Sequence, residues 1–186
     1  MEVFEAIKTR HSIRNYKTTP VDDKILESVL EAARWAPSWA NTQCCRFIVV
    51  RDSQTKAALS DVMRNRGSAS ESLKIAPVVI VACAEIGKSG FYRGIEGPAS
   101  DKGASWYMYD VALAMSHLVL AAHSVGLGTV HLGLFDAGKA AAILRVPPGF
   151  CVVAITPLGY PEGEPRLTTR KELSEIVSYE KFGATK

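Results

Sequence analysis

Hydrophobic and polar positions along the 186-residue chain change period several times, and each change marks an element. Val3, Phe4 and Ile7 share one side of a short helix over 2–9. Pro20 then opens VDDKILESVLEAARWA. There Ile25, Val29, Leu30 and Ala33 recur at helical spacing, with Asp22 or Asp23 near the start and Pro37 as the stop. RFIVVR at 46–51 reads as a strand, and Ser53 begins a short helix through about Arg64. The polar run NRGSASES leads through LKIA into PVVIVACAE, a continuous apolar stretch typical of a buried strand.

Residues 87–104 (GKSGFYRGIEGPASDKGA) are rich in glycine and carry no period. That is long for a loop in a compact domain, and marks it as functional or mobile. The longest helix follows over about 104–125 (ASWYMYDVALAMSHLVLAAHSV), with Gly126 as its expected C-cap. Asp110, Ser116, His117 and His123 argue against a membrane span. An apolar surface nearly all round predicts a central helix, buried in the core or against a second subunit. GTVHLGL reads as a strand, DAGKAAAILRV as a helix with Asp136 as N-cap, and FCVVAITPLGY as another buried strand. The tail beyond Pro161 is polar and has little to pack on within its own chain. Without repeats, low-complexity segments or a boundary, residues 1–186 are expected to form one domain of α/β or α+β type.

Composition narrows the function classes. A 47% hydrophobic and 22% charged content is that of an ordinary globular protein. A formal charge of +3, with no basic stripe interleaved with aromatics, sets nucleic acid aside as a partner. The start MEVFEAIKTR has no apolar h-region and no small-residue cleavage site, so a cytoplasmic location is expected. Cys83 and Cys151 lie in strand-like runs, and Cys44–Cys45 are adjacent, neither a CxxC pair nor a zinc spacing. All four read as thiols, and no metal is assigned.

The candidate chemistry begins at TRHSIRNYK, residues 9–17. If this segment is extended, Arg10, Ser12, Arg14 and Tyr16 share a face; if helical, Arg10 and Arg14 are still neighbours. Either geometry aims two guanidiniums and a hydroxyl at one place, as a phosphate site requires, although a solvated basic turn carries the same residues. In APSWANTQCCRF, residues 36–47, Ser38, Asn41 and Gln43 could cap and turn the chain between helix and strand. GLGTVHLGLFD at 126–136 offers Gly128 and Gly133 for close backbone approach, and His131, by itself, as a hydrogen-bonded structural histidine. Arg170 and Lys171, before ELSEIV, could add charge to a phosphate or form a surface pair near Glu172. GxGxxG, Walker A and GxSxG are all absent, as are Ser-His-Asp and Cys-His arrangements and paired carboxylates. The chemistry therefore falls to a cofactor, with the protein supplying position and electrostatics.

In order, RHSIRNY at 10–16, PSWANTQ at 37–43, LAAHSVGLGT at 120–129, HLGLFD at 131–136, PLGYP at 157–161 and RKELSEIV at 170–177 resemble the nitroreductase family of FMN-dependent oxidoreductases. The resemblance runs from about residue 2 to 180. It implies an α+β fold, a central, mainly antiparallel sheet flanked by helices. It further implies an intertwined homodimer, with the long helix at the interface and the tail 160–186 reaching over the partner. Two FMN molecules would then sit at the interface. Carried over residue by residue, Arg10, His11 and Ser12 become FMN ligands, with Arg10 and Ser12 at the phosphate, joined by Arg170 and Lys171. Arg14 becomes the basic residue beside flavin N1 and the C2 carbonyl, tuning reduction by favouring negative charge on the ring. Pro37, Ser38, Trp39 and Asn41 would come from the other subunit. His131, Leu132, Gly133 and Leu134 would line the ring, a backbone N–H at 133 or 134 reaching N5.

The activity this implies is ping-pong, two-electron transfer from NAD(P)H through FMN N5 to a nitroaromatic, quinone or similar acceptor. The chain resembles the compact members, whose counterpart of the 87–104 loop would be a substrate lid, with Phe91 and Tyr92 as stacking residues. Departures from the family pattern are Cys44 and Cys45 after Gln43, where proline and often an aromatic are usual, and His131 and Gly133 in a turn that lacks the proline and glutamate of larger members. Rival readings are an FMN-binding protein without turnover, a specialised reductive enzyme on the same fold, such as a dehalogenase, and a thiol oxidoreductase through Cys44 and Cys45.

Overall fold

A computed structural model of the chain describes residues 1–65, 67–92, 94–165 and 167–184. Its helices are α1 (Val3–Thr9), α2 (Asp23–Arg34), α3 (Ser53–Asp61), α4 (Ser68–Ile75), α5 (Trp106–Ser124), α6 (Ala137–Ile143) and α7 (Leu173–Ile176). Its strands are β1 (Cys45–Val50), β2 (Val78–Glu85), β3 (Gly128–Thr129) and β4 (Phe150–Gly159). They form one sheet in the order β1-β2-β4-β3, every neighbouring pair antiparallel. This is the α+β architecture expected.

The sheet works because β2 is buried on both faces. Val78, Ile80, Ala82 and Ala84 point into a core shared with α2 and α5, including Leu26, Val29, Met115 and Leu118. Val79, Val81 and Cys83 point the other way, toward Leu59, Leu73 and Ala140 of α3, α4 and α6. Strand side chains alternate between faces, so a strand with a core on each side has to be apolar throughout. Each fully buried Val or Ile there contributes about 1.5–3 kcal/mol of hydrophobic stabilisation.

Helix termini follow the caps. Asp22 accepts from the Lys24 and Ile25 N–H groups, Asp52 from Thr55 and Asp136 from Lys139. Gly126, at φ +81°, follows the last turn of α5 in the left-handed conformation.

Three expectations are corrected. SASESLK and the following isoleucine form α4 rather than a polar connection. Of GTVHLGL only Gly128–Thr129 is strand, and the ladder touches the rest at a single bridge, Leu132 to Ile155. Residues 10–16 are extended, yet Tyr16 does not share an exposed face with the arginines. Its ring is 1% exposed, and its hydroxyl donates to the Ile13 carbonyl at 2.6 Å.

Candidate functional site

The basic N-terminal segment is positioned by a close backbone approach. α1 ends at Arg10, and the chain then runs alongside β3, with Ser12 bridging Thr129 in parallel and the Ile13 N–H donating to the Thr129 carbonyl at 2.9 Å. A Cβ at Gly128 would lie 2.6 Å from Ile13 Cγ1, so only glycine lets the segment sit there. Tyr16 pins the other end inside the core.

Arg10, His11, Ser12 and Arg14 thereby line one wall of a cavity of about 480 Å³. Its other wall comes from the far end of the chain, Glu162–Pro165, Thr168 and Arg170, with Ser68 from the start of α4. Arg170 donates to Thr168 Oγ1 at 2.9 Å and to the Thr169 carbonyl at 3.1 Å, which fixes its guanidinium. Burial and the nearby Arg170 both lower the Arg10 pKa, the signature of two cations sharing a partly desolvated space. Among the described residues no carboxylate forms an ion pair with Arg10, Arg14 or Arg170, although Glu162 and Glu164 stand on the rim. Two guanidiniums and a hydroxyl converging without an ion-paired carboxylate have the chemistry to hold a phosphate dianion such as that of FMN. Lys171 is exposed and does not line the cavity.

None of residues 131–134 lines this cavity, but His131 at the start of that turn is near enough to Arg10 to feel its charge. The His131 Nδ1 and Thr156 Oγ1 hydrogen-bond at 2.9 Å, and burial, then the charge of Arg10, lower the imidazole pKa. Leu132 is buried, whereas Gly133 and Leu134 are exposed. Across the same end of α5, Thr9 Oγ1 and His123 Nε2 are 2.8 Å apart. Burial first, and then Arg10 and His11, lower the His123 pKa.

The segment 37–43 is elsewhere. Trp39 begins a 3-10 turn over Trp39–Asn41, anchored to α5 by its N–H, which donates to Asp110 Oδ1 at 2.9 Å. Thr42 Oγ1 and Cys44 Sγ donate to Asp110 Oδ2, each at 3.5 Å. Pro37 and Ser38 line a second cavity, of about 860 Å³, between α2, β1 and α5. Tyr92, from the 87–104 loop, packs on Trp39 with ring centroids 4.8 Å apart, and Phe91 beside it is partly buried. His123 stands at the Arg10 end of α5 and Asp110 near the other, about 20 Å away by helix rise. The expected cofactor residues therefore form two groups within one chain, Arg10, His11, Ser12, Arg14, His131 and Arg170 in one, Pro37, Ser38, Trp39 and Asn41 in the other.

Asp110 was legible in the sequence only as a charge interrupting YMYDVAL. Its role as the anchor of 39–44 comes from the fold, as do the cavity positions of Ser68 and Thr168. Among the described residues no cluster of three His, Cys, Asp or Glu side chains could hold a metal ion, and no helix is long and apolar enough to cross a membrane. The four cysteines are free.

An all-antiparallel sheet between two helical layers, with an anion cradle beside its short outer strand, defines a class that the comparisons identify. The Nitroreductase family model matches residues 7–72 and 64–160, and the chain belongs to this family. A nitroreductase family protein of Clostridium novyi NT is 35% identical, with a TM-score of 0.78 over 100% of this chain and 97% of that one. An FMN-dependent nitroreductase of Clostridium difficile R20291 is 27% identical, with a TM-score of 0.79 over 96% and 99%. An NADH dehydrogenase of Thermus thermophilus is 30% identical over 199 residues, 95% of each chain.

Proposed function

We propose that the protein is an FMN-dependent NAD(P)H oxidoreductase acting as a homodimer. The observation that carries the reading is the meeting of Arg10, Ser12 and Arg170, from opposite ends of the chain, around one cavity with no ion-paired carboxylate. FMN held there would supply the two-electron chemistry of a ping-pong reaction between NAD(P)H and a nitroaromatic, quinone or similar acceptor.

The chain's own residues do the rest. Arg10, Ser12 and Arg170 hold the phosphate, with His11 beside them, and fix the register of the ring relative to the 131–134 turn. Arg14, exposed on the same wall, places a cation at the pyrimidine edge and favours negative charge there. His131, reaching the surface but with its imidazole partly desolvated and beside Arg10, so that its pKa is lowered, would line the flavin ring. A backbone N–H at Gly133 or Leu134 reaches the reacting edge. Solvent supplies the protons.

The second group of residues explains the dimer. A site that uses Trp39 and Asn41 together with Arg10 needs two copies, because α5 separates them within one. Surfaces for that contact are present. Val3, Phe4 and Ile7 of α1 are exposed, as are Met108 and Tyr109 of α5 and, on the tail, Leu173, Ile176 and Phe182. The tail over 161–170, apart from residue 166, packs on its own chain rather than crossing. The part that reaches over the partner is then 171–184, and the 87–104 loop, apart from residue 93, covers the acceptor site with Phe91 and Tyr92.

The test is the visible spectrum of the purified protein before and after anaerobic addition of NADH or NADPH. Flavin bands that bleach with either nicotinamide are the expected result. Bands that persist with both indicate a flavin-binding protein without turnover. A colourless protein that takes up no added FMN refutes the cofactor assignment.

A further inference from the structure

Asp110 is 1% exposed, and none of the ion pairs among the described residues includes it. A buried carboxylate is tolerated only when hydrogen bonds replace its water. All three side-chain or backbone donors it receives, Trp39 N–H, Thr42 Oγ1 and Cys44 Sγ, come from one six-residue stretch. That stretch holds Ala40, Asn41 and Gln43 at φ +45°, +55° and +49°, a region that residues with a Cβ rarely adopt. It closes on itself through the Gln43 N–H, which donates to Ser38 Oγ at 2.9 Å. The neighbouring Cys45 thiol, then burial and the charge of Asp110, push the Cys44 pKa up, which keeps its S–H in place as a donor. The contact continues outward, since Trp39 carries the Tyr92 ring at 4.8 Å.

We infer that Asp110 is a positioning residue. Its three hydrogen bonds fix Trp39–Cys44, and through the tilted Trp39–Tyr92 ring contact the 87–104 loop apart from residue 93, in the arrangement that this face presents to the flavin held by the other subunit. The inference rests on the proposed flavin reading, and it concerns a residue far from the phosphate cradle. Asp110, which also reaches the wall of the cavity lined by Pro37 and Ser38, acts through Trp39 and Tyr92.

Asp110→Ala and Asp110→Asn in the FMN-loaded dimer separate positioning from mere stability. An anchor that only stabilises the fold changes the fraction of active protein and leaves the acceptor KM where it was. Positioning moves KM. Asp110→Ala is expected to raise the acceptor KM by about tenfold or more, with kcat per bound FMN within about twofold. In the same variant the Trp39 amide is expected to exchange its hydrogen about tenfold faster or more. Asn retains an oxygen for the Trp39 N–H, and Asp110→Asn is expected to restore KM to within about threefold of the parent. Unchanged KM and unchanged exchange in Asp110→Ala overturn the inference, and so does Asp110→Asn as impaired as Asp110→Ala. If Asp110→Ala does not fold, Thr42→Val removes one donor, and a KM equal to the parent's then overturns it. A parent protein that takes up no FMN refutes the flavin reading, and the positioning of this face toward a flavin with it. Exchange at Trp39 in the apoprotein then still decides whether Asp110 holds the loop.

Discussion

Replacing Arg10 by alanine should move two quantities in opposite directions. In the free protein Arg10 and Arg170 repel across a partly desolvated cavity, and among the described residues no carboxylate is ion-paired with either, Glu162 and Glu164 standing on the rim. Removing one cation relieves that repulsion by about 0.5 kcal/mol, a surface-scale value because the guanidinium remains partly exposed. For a chain of this size the apoprotein should then melt about 1–2 °C higher. Binding changes the other way. A charge-assisted hydrogen bond contributes about 1.5–3 kcal/mol, so FMN affinity should fall by about 10- to 150-fold. Fluorescence titration of apoprotein with FMN reads the second quantity, and a thermal scan without FMN the first. The apoprotein difference should shrink at high salt, where exposed charges are screened. His131 supplies an internal check, because loss of the Arg10 charge should raise its pKa toward the ordinary value. An apoprotein that melts lower, together with FMN affinity within about threefold of the parent, would refute the cradle.

Arg14→Ala should do the converse of Arg10→Ala, slowing anaerobic bleaching by NAD(P)H about tenfold while FMN affinity stays within about threefold; equal effects on both quantities in rapid-mixing and titration experiments would remove the division of roles. Gly128→Ala drives a methyl into Ile13 and should cost about 1–3 kcal/mol in chemical denaturation, a loss that adding Ile13→Ala partly reverses if the contact is the cause. His123 and His131 both have lowered pKa values, so the unfolded chain binds protons more readily than the fold. The stability they support is present above about pH 6.5 and is lost as pH falls below it. Urea midpoints at pH 7 and pH 5 measure that loss, and His131→Asn should shrink it; an undiminished slope in the variant would exclude His131 as a contributor.

How much of this was readable beforehand depended on whether burial left a mark on residue type. β2 is apolar because it lies between packed layers, α5 buries one side in the core and leaves apolar Met108 and Tyr109 exposed, and Asp22 and Asp136 cap the helices they precede. α4 was hidden because two of its buried positions are serines. Ser70 Oγ donates to the Gly67 carbonyl and Ser72 Oγ to that of Ala69, so the hydroxyls are satisfied locally and the inward face looks polar. In GTVHLGL the side chains alternate only from Val130 to Gly133, Val130 and Leu132 buried and His131 and Gly133 exposed, after Gly128 and Thr129, which are both buried. Alternation reports which side chains point inward, however, and says nothing of ladder pairing, which stops after Thr129. Tyr16 broke the face expected of it because a ring with two carbonyls within reach of its hydroxyl is more stable inside. For the site, residue types were legible and distances were not. Nothing in the order of the motifs revealed that α5 holds PSWANTQ about 20 Å from RHSIRNY.

That separation has a consequence at the level of alleles. In the proposed dimer each active centre draws its cradle from one polypeptide and its Trp39 side from the other, so two different dead genes would repair each other. A subunit lacking Arg10 and Arg170 and a subunit lacking Trp39 and Asn41 are each inactive alone. When the two are co-expressed and pair at random, heterodimers carry one centre with both defects and one with neither. About a quarter of all centres are then whole, as two-fold symmetry requires. The gene should behave as a single unit that nonetheless complements within itself.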